Sequence, residues 1–271
     1  MTNLLPGILA ALIKGTIELL IVVPFIAIAF WRRRLDEEAP LSPLKGIAFL
    51  VILCFLNTIL MYLPRVGPFQ SLYWHWQGKL LGIMLSLLFI FAVVKMPSLY
   101  GIRLPIPGSR VVTLIAIAGC VVSCTAVVLL IGPGVFSGSI SRKAPIIETA
   151  LFLWFMPGID EELFYRCVIL TTVDRLFGQR WKIGSLRIGW GAPISLMLFW
   201  FAHFVRVTGT PLQIYFVFPR HPFDIALMII VGCLLTWGRV RTGSVLLSVI
   251  FHGVGSGIGP TIALLRGGWG G

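Results

Sequence analysis

The sequence predicts an all-α membrane protein with about eight transmembrane helices in a single membrane domain over residues 1–271. Composition is the first observation behind this prediction, since 58% of the residues are hydrophobic, only 12% are charged, and the mean hydropathy is +0.97. A soluble globule needs far more polar surface than such a chain can supply. The second observation is that the apolar residues fall into runs of bilayer-spanning length, separated by short polar connections.

The predicted spans lie at about 7–31, 46–63, 79–95, 111–131, 146–172, 190–206, 223–238 and 243–265. We expect the first span to be retained, because it is long, lacks a preceding basic segment and contains Lys14 and Glu18. These two residues are four positions apart on one helical face and are predicted to pair, with Lys14 reaching outward to the interface.

The excess of basic residues indicates topology rather than a nucleic-acid partner. The net charge is +12, but its carriers lie in short clusters between apolar runs and not in one stripe. Connections after the odd-numbered spans hold 13 of the 22 Lys and Arg residues, whereas the other side, with Lys79 counted there, holds seven. The positive-inside rule therefore places both termini outside the cytoplasm.

Charged residues interrupt the fifth span, whose central part reads LFLWFMPGIDEELFYRCVILTT over 151–172. The Asp-Glu-Glu run at 160–162 and Arg166 lie mid-span, where each ionised side chain costs roughly 3 kcal/mol. Glu162 and Arg166 share one helical face and can pair, while Glu161 points about 100° away. One acid is thus neutralised and the other is left to face another helix. An ion cluster that only locks helices together is the alternative.

Two later spans carry histidines at membrane depth. His203 lies toward the end of the sixth span, with Phe199 one turn before it on the same face. His252 lies in the middle of the eighth span, with Ser256 one turn after it. Two such histidines, together with the acids of the fifth span, indicate one convergent functional site.

These residue types suit the hydrolysis of an amide. A carboxylate and an imidazole can hold and activate a water, which fits Glu161 and His203, and further donors such as His252 and Ser256 can stabilise the oxyanion. A zinc site made of Glu161, His203 and His252 uses the same atoms and stays open as an alternative. The HExxH helix of zinc peptidases is absent, however, as is the GxSxG motif of serine hydrolases.

The pattern Glu161-Glu162-x-x-x-Arg166, followed by Phe199-x-x-x-His203 and by His252 on the last span, resembles the CPBP family of intramembrane proteases. That family includes the CAAX prenyl endoproteases and many bacterial relatives, and the resemblance covers about residues 146 to 260. It implies an eight-helix membrane fold in which the first Glu and the second-motif His activate water. It also implies an oxyanion hole formed by the last His and an Asn four residues on, a position that Ser256 occupies here.

The predicted function is therefore that of a glutamate-type intramembrane endopeptidase, with its catalytic helices at about 146–265 and no cofactor. Its expected substrate is a membrane-associated protein or peptide, such as the C-terminal sorting segment of an exported protein, and its expected location is a bacterial inner membrane. Two alternatives use the same residues. One is a non-catalytic binding or immunity protein of the same fold, which the Ser256 substitution favours, and the other is a proton-coupled transporter.

Overall fold

The computed structural model describes residues 4–32, 42–131, 144–184, 186–217 and 222–266. Its α-helices are α1 (Leu4–Trp31), α2 (Pro43–Tyr62), α3 (Trp76–Leu88), α4 (Arg110–Ile131), α5 (Ile146–Glu161), α6 (Leu170–Phe177), α7 (Gly191–Phe204), α8 (Pro222–Thr242) and α9 (Leu246–Leu265). Two π-helical segments extend them: Phe89–Val94 follows α3, and Glu162–Ile169 joins α5 to α6 without a break. The described residues therefore form eight helical rods, which match the eight predicted spans.

Six of these rods are long and apolar enough to cross a membrane: α1, α2, α3 with its π-helical extension, α4, α8 and α9. Helix α7 is shorter but apolar, and the rod that begins with α5 carries the mid-span charges of the fifth predicted span. Many large apolar side chains on α1, α2 and α4 face outward, as a lipid environment requires. The prediction of an all-α integral membrane protein is confirmed.

Two short β-hairpins were not predicted. Strand β1 (Gln179–Ile183) pairs antiparallel with β2 (Leu186–Gly189) between α6 and α7, and β3 (Val205–Gly209) pairs with β4 (Leu212–Phe216) directly after α7. The sixth span consequently ends at Phe204 rather than at the predicted residue 206. The change to strand at this point has a packing reason, because Val205 and Val207 are buried with Ala10 of α1.

Local signals in the sequence set several helix ends. Helix α2 begins where the Ser42 hydroxyl accepts the Lys45 N–H at 3.3 Å and Pro43 fills the first helical position. Helix α6 ends at Gly178, whose φ of 79° lies in the left-handed region that glycine tolerates.

Helices α5 and α9 pack closely against each other beside the site. A Cβ atom added at Gly253 would lie 2.5 Å from the Trp154 carbonyl oxygen, and one at Gly257 would lie 2.5 Å from the Trp154 ring. The Trp154 indole N–H also donates to the Thr261 hydroxyl at 2.7 Å. Small residues at such an interface let two backbones approach, and here they bring His252 beside the charged end of α5.

Candidate active site

The charged residues of the fifth span lie where α5 changes to a π-helix. Asp160 and Glu161 are the last residues of α5, and Glu162 opens the π-helical segment, in which every residue is buried. Segments of π-helix are rare and often mark functional sites, because the wider turn moves side chains off the regular α-helical positions. The neighbouring glutamates point to different partners at this junction.

Glu162 faces a closed, fully buried cluster. Its Oε1 atom lies 3.3 Å from an Nη atom of Arg166, so the predicted i, i+4 pair is present, and both side chains are 0% exposed. The Arg166 guanidinium lies over the Phe199 ring, 4.1 Å from the ring centroid, which is cation–π geometry. His252 completes the cluster, with its Nδ1 atom 2.9 Å from Glu162 Oε1.

Glu161 faces the opposite way, toward two imidazoles. Its Oε2 atom lies 3.6 Å from His203 Nε2 and 3.8 Å from His252 Nε2. Within the described part of the chain this buried oxygen has no hydrogen-bond partner. The structure thus brings the three predicted catalytic side chains together, from α5, α7 and α9.

His203 is held by its own helix. Its Nδ1 atom lies 2.8 Å from the Phe199 carbonyl oxygen, and the two rings are 4.7 Å apart. A neutral imidazole that donates from Nδ1 carries its lone pair on Nε2, which is the nitrogen that faces Glu161. The side chain is 38% exposed, which makes it the most accessible member of the group.

Lys14 and Glu18 of α1 form the predicted ion pair. The expectation that Lys14 reaches outward to the interface is wrong, because its ammonium donates to the carbonyl oxygens of Ala202 and Val205 at 2.9 and 3.0 Å. Carbonyl groups at the end of a helix lack intrahelical partners, and the packing of α1 against this end brings Lys14 within reach. The contact ties α1 to the part of α7 that carries His203.

Lys79 is the site residue that the sequence analysis missed. Counted there as a charge of an external connection, it lies instead in the first turn of α3 and points at the end of α5. Its ammonium donates to Asp160 Oδ2 and to Glu161 Oε1, both at 2.8 Å. Lys79 therefore leaves the loop-charge count, and the side that held seven basic residues keeps six.

The start of α3 is anchored next to this lysine. The Gly78 N–H donates to His75 Nδ1 at 3.0 Å, so the imidazole caps the helix. Burial lowers the pKa of His75, which favours the neutral ring that can accept this bond. The cap fixes the turn from which Lys79 extends.

A cavity of about 150 Å³ opens beside Glu161, which is room for several water molecules. Its lining combines ionisable and polar groups with apolar ones: Lys14, Glu18, Asn57, Thr58, Met61, Lys79, Asp160, Glu161, Phe164, Tyr165, Ala202 and His203. Ser256 is half-buried one turn beyond His252 and does not belong to this lining. Its predicted contribution to an oxyanion hole is therefore not tested by the shape of the cavity.

The zinc alternative is a separate matter. The described residues contain no group of three or more His, Cys, Asp or Glu side chains arranged to hold a metal ion. Both histidines nevertheless direct Nε2 toward Glu161, so chelation and elemental analysis are the measurements that test for a bound metal.

Comparison with known proteins supports the resemblance of the motifs to those of the CPBP family. Residues 143–258 match the family model described as type II CAAX prenyl endopeptidase Rce1-like. The matched segment holds Glu161, Glu162, Arg166, His203 and His252 but covers less than half of the chain, and α1 to α4 lie outside it. No curated protein and no solved structure matches the chain.

Proposed function

We propose that this chain, whose residues 143–258 match the Rce1-like family model, is an intramembrane endopeptidase that hydrolyses a peptide bond with a water activated by Glu161 and His203. One observation carries the proposal. A buried, unpartnered carboxylate oxygen of Glu161 faces the Nε2 atoms of two histidines at 3.6 and 3.8 Å, and Glu161 and His203 both line a cavity. These distances are too long for direct hydrogen bonds and short enough for one water to contact both partners.

Glu161 and His203 each have a role in the proposed hydrolysis. Glu161 Oε2 takes one proton of the water, while His203 Nε2 accepts the other O–H and orients the oxygen. The water oxygen forms a bond to the carbonyl carbon of the substrate, and a tetrahedral intermediate results. The C–N bond then breaks as Glu161 returns the proton to the leaving nitrogen, so the products are a carboxylic acid and an amine.

His252 is proposed to stabilise the oxyanion. Its Nδ1 atom is bonded to Glu162, so a neutral ring would present an acceptor at Nε2 and could not donate to a negative oxygen. Only the doubly protonated ring donates from both nitrogens, so the proposed role requires that form of the ring, between the carboxylates of Glu161 and Glu162. Ser256, one turn further along α9, would supply a second donor.

Two other functions use features of the same site. The CPBP family, which the motifs resemble, has Asn at the position of Ser256. This difference favours a non-catalytic binding protein. The ionisable groups that line one cavity, from Glu18 and Lys14 to Lys79 and Glu161, would serve a proton relay in a transporter.

Cleavage of a peptide library separates these functions. The purified protein, reconstituted in lipid, is incubated with membrane-associated peptides, and the products are mapped by mass spectrometry with Glu161→Gln as the matched control. We expect cuts at defined bonds with the wild type and none with the variant. Equal cutting by both proteins would assign the activity to a contaminant, and no cutting by either would favour the binding or transport functions.

The finer substrate assignment depends on the side to which the site opens. With Lys79 removed from the count, basic residues still predominate in the odd-numbered connections, which supports extracytoplasmic termini. The proposed location is a bacterial inner membrane. In that orientation His203 lies toward the outer face, and C-terminal sorting segments of exported proteins are the proposed substrates. Ser139 and Ser185 lie outside the described residues but on opposite predicted sides. An impermeant thiol reagent on intact cells should label Ser139→Cys and spare Ser185→Cys, and the reverse would favour cytoplasmic substrates.

A further inference from the structure

Lys79 comes from a helix outside the matched segment, yet its ammonium contacts two acids inside that segment. The distances from Nζ to Asp160 Oδ2 and to Glu161 Oε1 are both 2.8 Å. Only 17% of the lysine side chain is exposed, against 3% for Asp160 and 15% for Glu161. Hydrogen bonds between ionised groups in such sheltered positions are stronger than neutral ones and hold both partners in place.

The contact determines which oxygen of Glu161 faces the histidines. A glutamate side chain without a partner can rotate among several rotamers. Because Lys79 binds Oε1, the other oxygen is left facing His203 and His252. The lysine thereby orients the atom proposed to take the proton of the water.

Lys79 provides the positive charge that offsets the adjacent carboxylates of Asp160 and Glu161. Asp160 precedes Glu161 on α5, the two imidazoles approach from α7 and α9, and the internally compensated pair of Lys14 and Glu18 lines the cavity from α1. Arg166 belongs to the Glu162 cluster. Among the described residues, Lys79 is thus the permanent cation in contact with Glu161. Without it, two adjacent carboxylates would repel each other in a sheltered site, and the ionised form of each would be disfavoured.

Helix α3 packs close enough to α5 for Lys79 to reach the two acids. A Cβ atom at Gly82, three residues after Lys79 on the same face, would lie 2.3 Å from Asp160 Oδ1. Glycine at this position lets the backbone of α3 come close enough for the lysine to reach both acids.

We propose that Lys79 is a positioning residue of the site, which orients Glu161 and keeps it ionised so that it can act as the base. This inference rests on the proposed peptidase function and extends it to the part of the chain that the family match does not cover. A lysine that only joined α3 to α5 would affect folding and leave the pH dependence of the reaction unchanged.

The test compares four variants with the wild type on a peptide that the library identifies. Lys79→Met removes the cation, Lys79→Arg keeps it, and Lys79→Met with Asp160→Asn removes one charge of each sign so that the fold is preserved. Lys45→Met, an exposed lysine on α2, is the matched control. The ratio kcat/KM is measured as a function of pH.

We expect Lys79→Met and the double variant to lose roughly 10-fold to 100-fold in kcat with little change in KM, the range of a misplaced general base. The acidic limb of their pH profiles should move to higher pH, because a carboxylate without its cation is protonated more easily. Lys79→Arg should keep the limb in place, and Lys45→Met should match the wild type. Unchanged kcat and pH profiles in a folded double variant would overturn the role of Lys79 and leave the peptidase proposal intact.

A readout without turnover separates the two proposals further. The infrared band of protonated carboxyl groups is followed against pH and assigned to Glu161 by its loss in Glu161→Gln. We expect this band to appear at higher pH in the double variant than in the wild type. A shifted band in a protein that cleaves no peptide would support the electrostatic role of Lys79 and reject the peptidase function, whereas an unshifted band would reject the role itself.

Discussion

Glu161 and Glu162 are adjacent in the chain and lie in two different electrostatic regions. Glu162 belongs to a closed cluster in which its charge is balanced by the fully buried Arg166. Glu161 belongs to an open cluster on the cavity, where Lys79 serves both Asp160 and Glu161 and one negative charge remains. Adjacent residues of a helix point about 100° apart, so the two side chains reach different partners.

The two regions should respond differently when a glutamate loses its charge. Removing the charge of Glu161 leaves Asp160 and Lys79 as a balanced pair, so the fold is preserved while the proposed base is lost. Removing the charge of Glu162 leaves Arg166 unbalanced in a position without solvent, so stability is lost first. Substitutions on the two sides should therefore separate activity from stability.

The largest effect is expected for Glu161→Gln, which keeps the size of the side chain and removes the carboxylate. Peptide cleavage should fall by about 10²-fold or more, as the loss of a general base implies. The thermal midpoint should stay close to that of the wild type, since the remaining charges are balanced. Near-normal turnover by a well-folded variant would refute the assignment of the base.

The opposite outcome is expected for Glu162→Gln. Arg166 loses its buried partner, and the free energy of unfolding should fall by about 3–5 kcal/mol. Thermal melting in detergent, with Glu161→Gln measured alongside, checks the difference. Equal midpoints for the two variants would mean that the two regions do not differ as their charges indicate.

A smaller effect is expected from the α1 contact behind His203. Lys14→Met with Glu18→Leu removes the ion pair as a unit, and with it the bonds to Ala202 and Val205. We expect kcat/KM to fall by roughly 10-fold, which corresponds to the free energy of about one hydrogen bond to a charged group. Glu18→Gln alone keeps Lys14 on those carbonyl groups and should retain most activity. A similar loss in both variants would point to Glu18 itself rather than to the position of α7.

The smallest effect is expected from chelation. If Glu161 and His203 activate the water without a metal, exhaustive dialysis against a chelator should leave the cleavage rate unchanged, and elemental analysis should find substoichiometric zinc. A loss of activity that added zinc restores would instead make Glu161, His203 and His252 ligands.

Local periodicity was enough to predict much of the fold and part of the site. Bilayer thickness limits the length of a span, so the apolar runs predicted the eight helical rods to within a few residues at most ends. The pairs Glu162–Arg166 and Lys14–Glu18 followed from i, i+4 spacing, which is a property of one helix. The convergence of Glu161, His203 and His252 was inferred because isolated charges and histidines are rare at membrane depth.

Local periodicity does not predict which helices pack against each other. Lys79 could have been suspected from charge balance, since the three acids at 160–162 face only Arg166 within their own span, but nothing local connects α3 to α5. The same holds for Lys14, whose partners at the junction of α7 and β3 lie 188 and 191 residues away in the chain. The hairpin after α7 depends likewise on the α1 surface that buries Val205 and Val207. The sequence alone therefore determined the spans and the local ion pairs, because these depend on length and spacing within one helix. It also indicated the candidate catalytic residues, because charged groups and histidines are rare at membrane depth. Only the tertiary structure decided how Glu161 is oriented, because that depends on a lysine from a helix about 80 residues earlier, brought close by packing at Gly82.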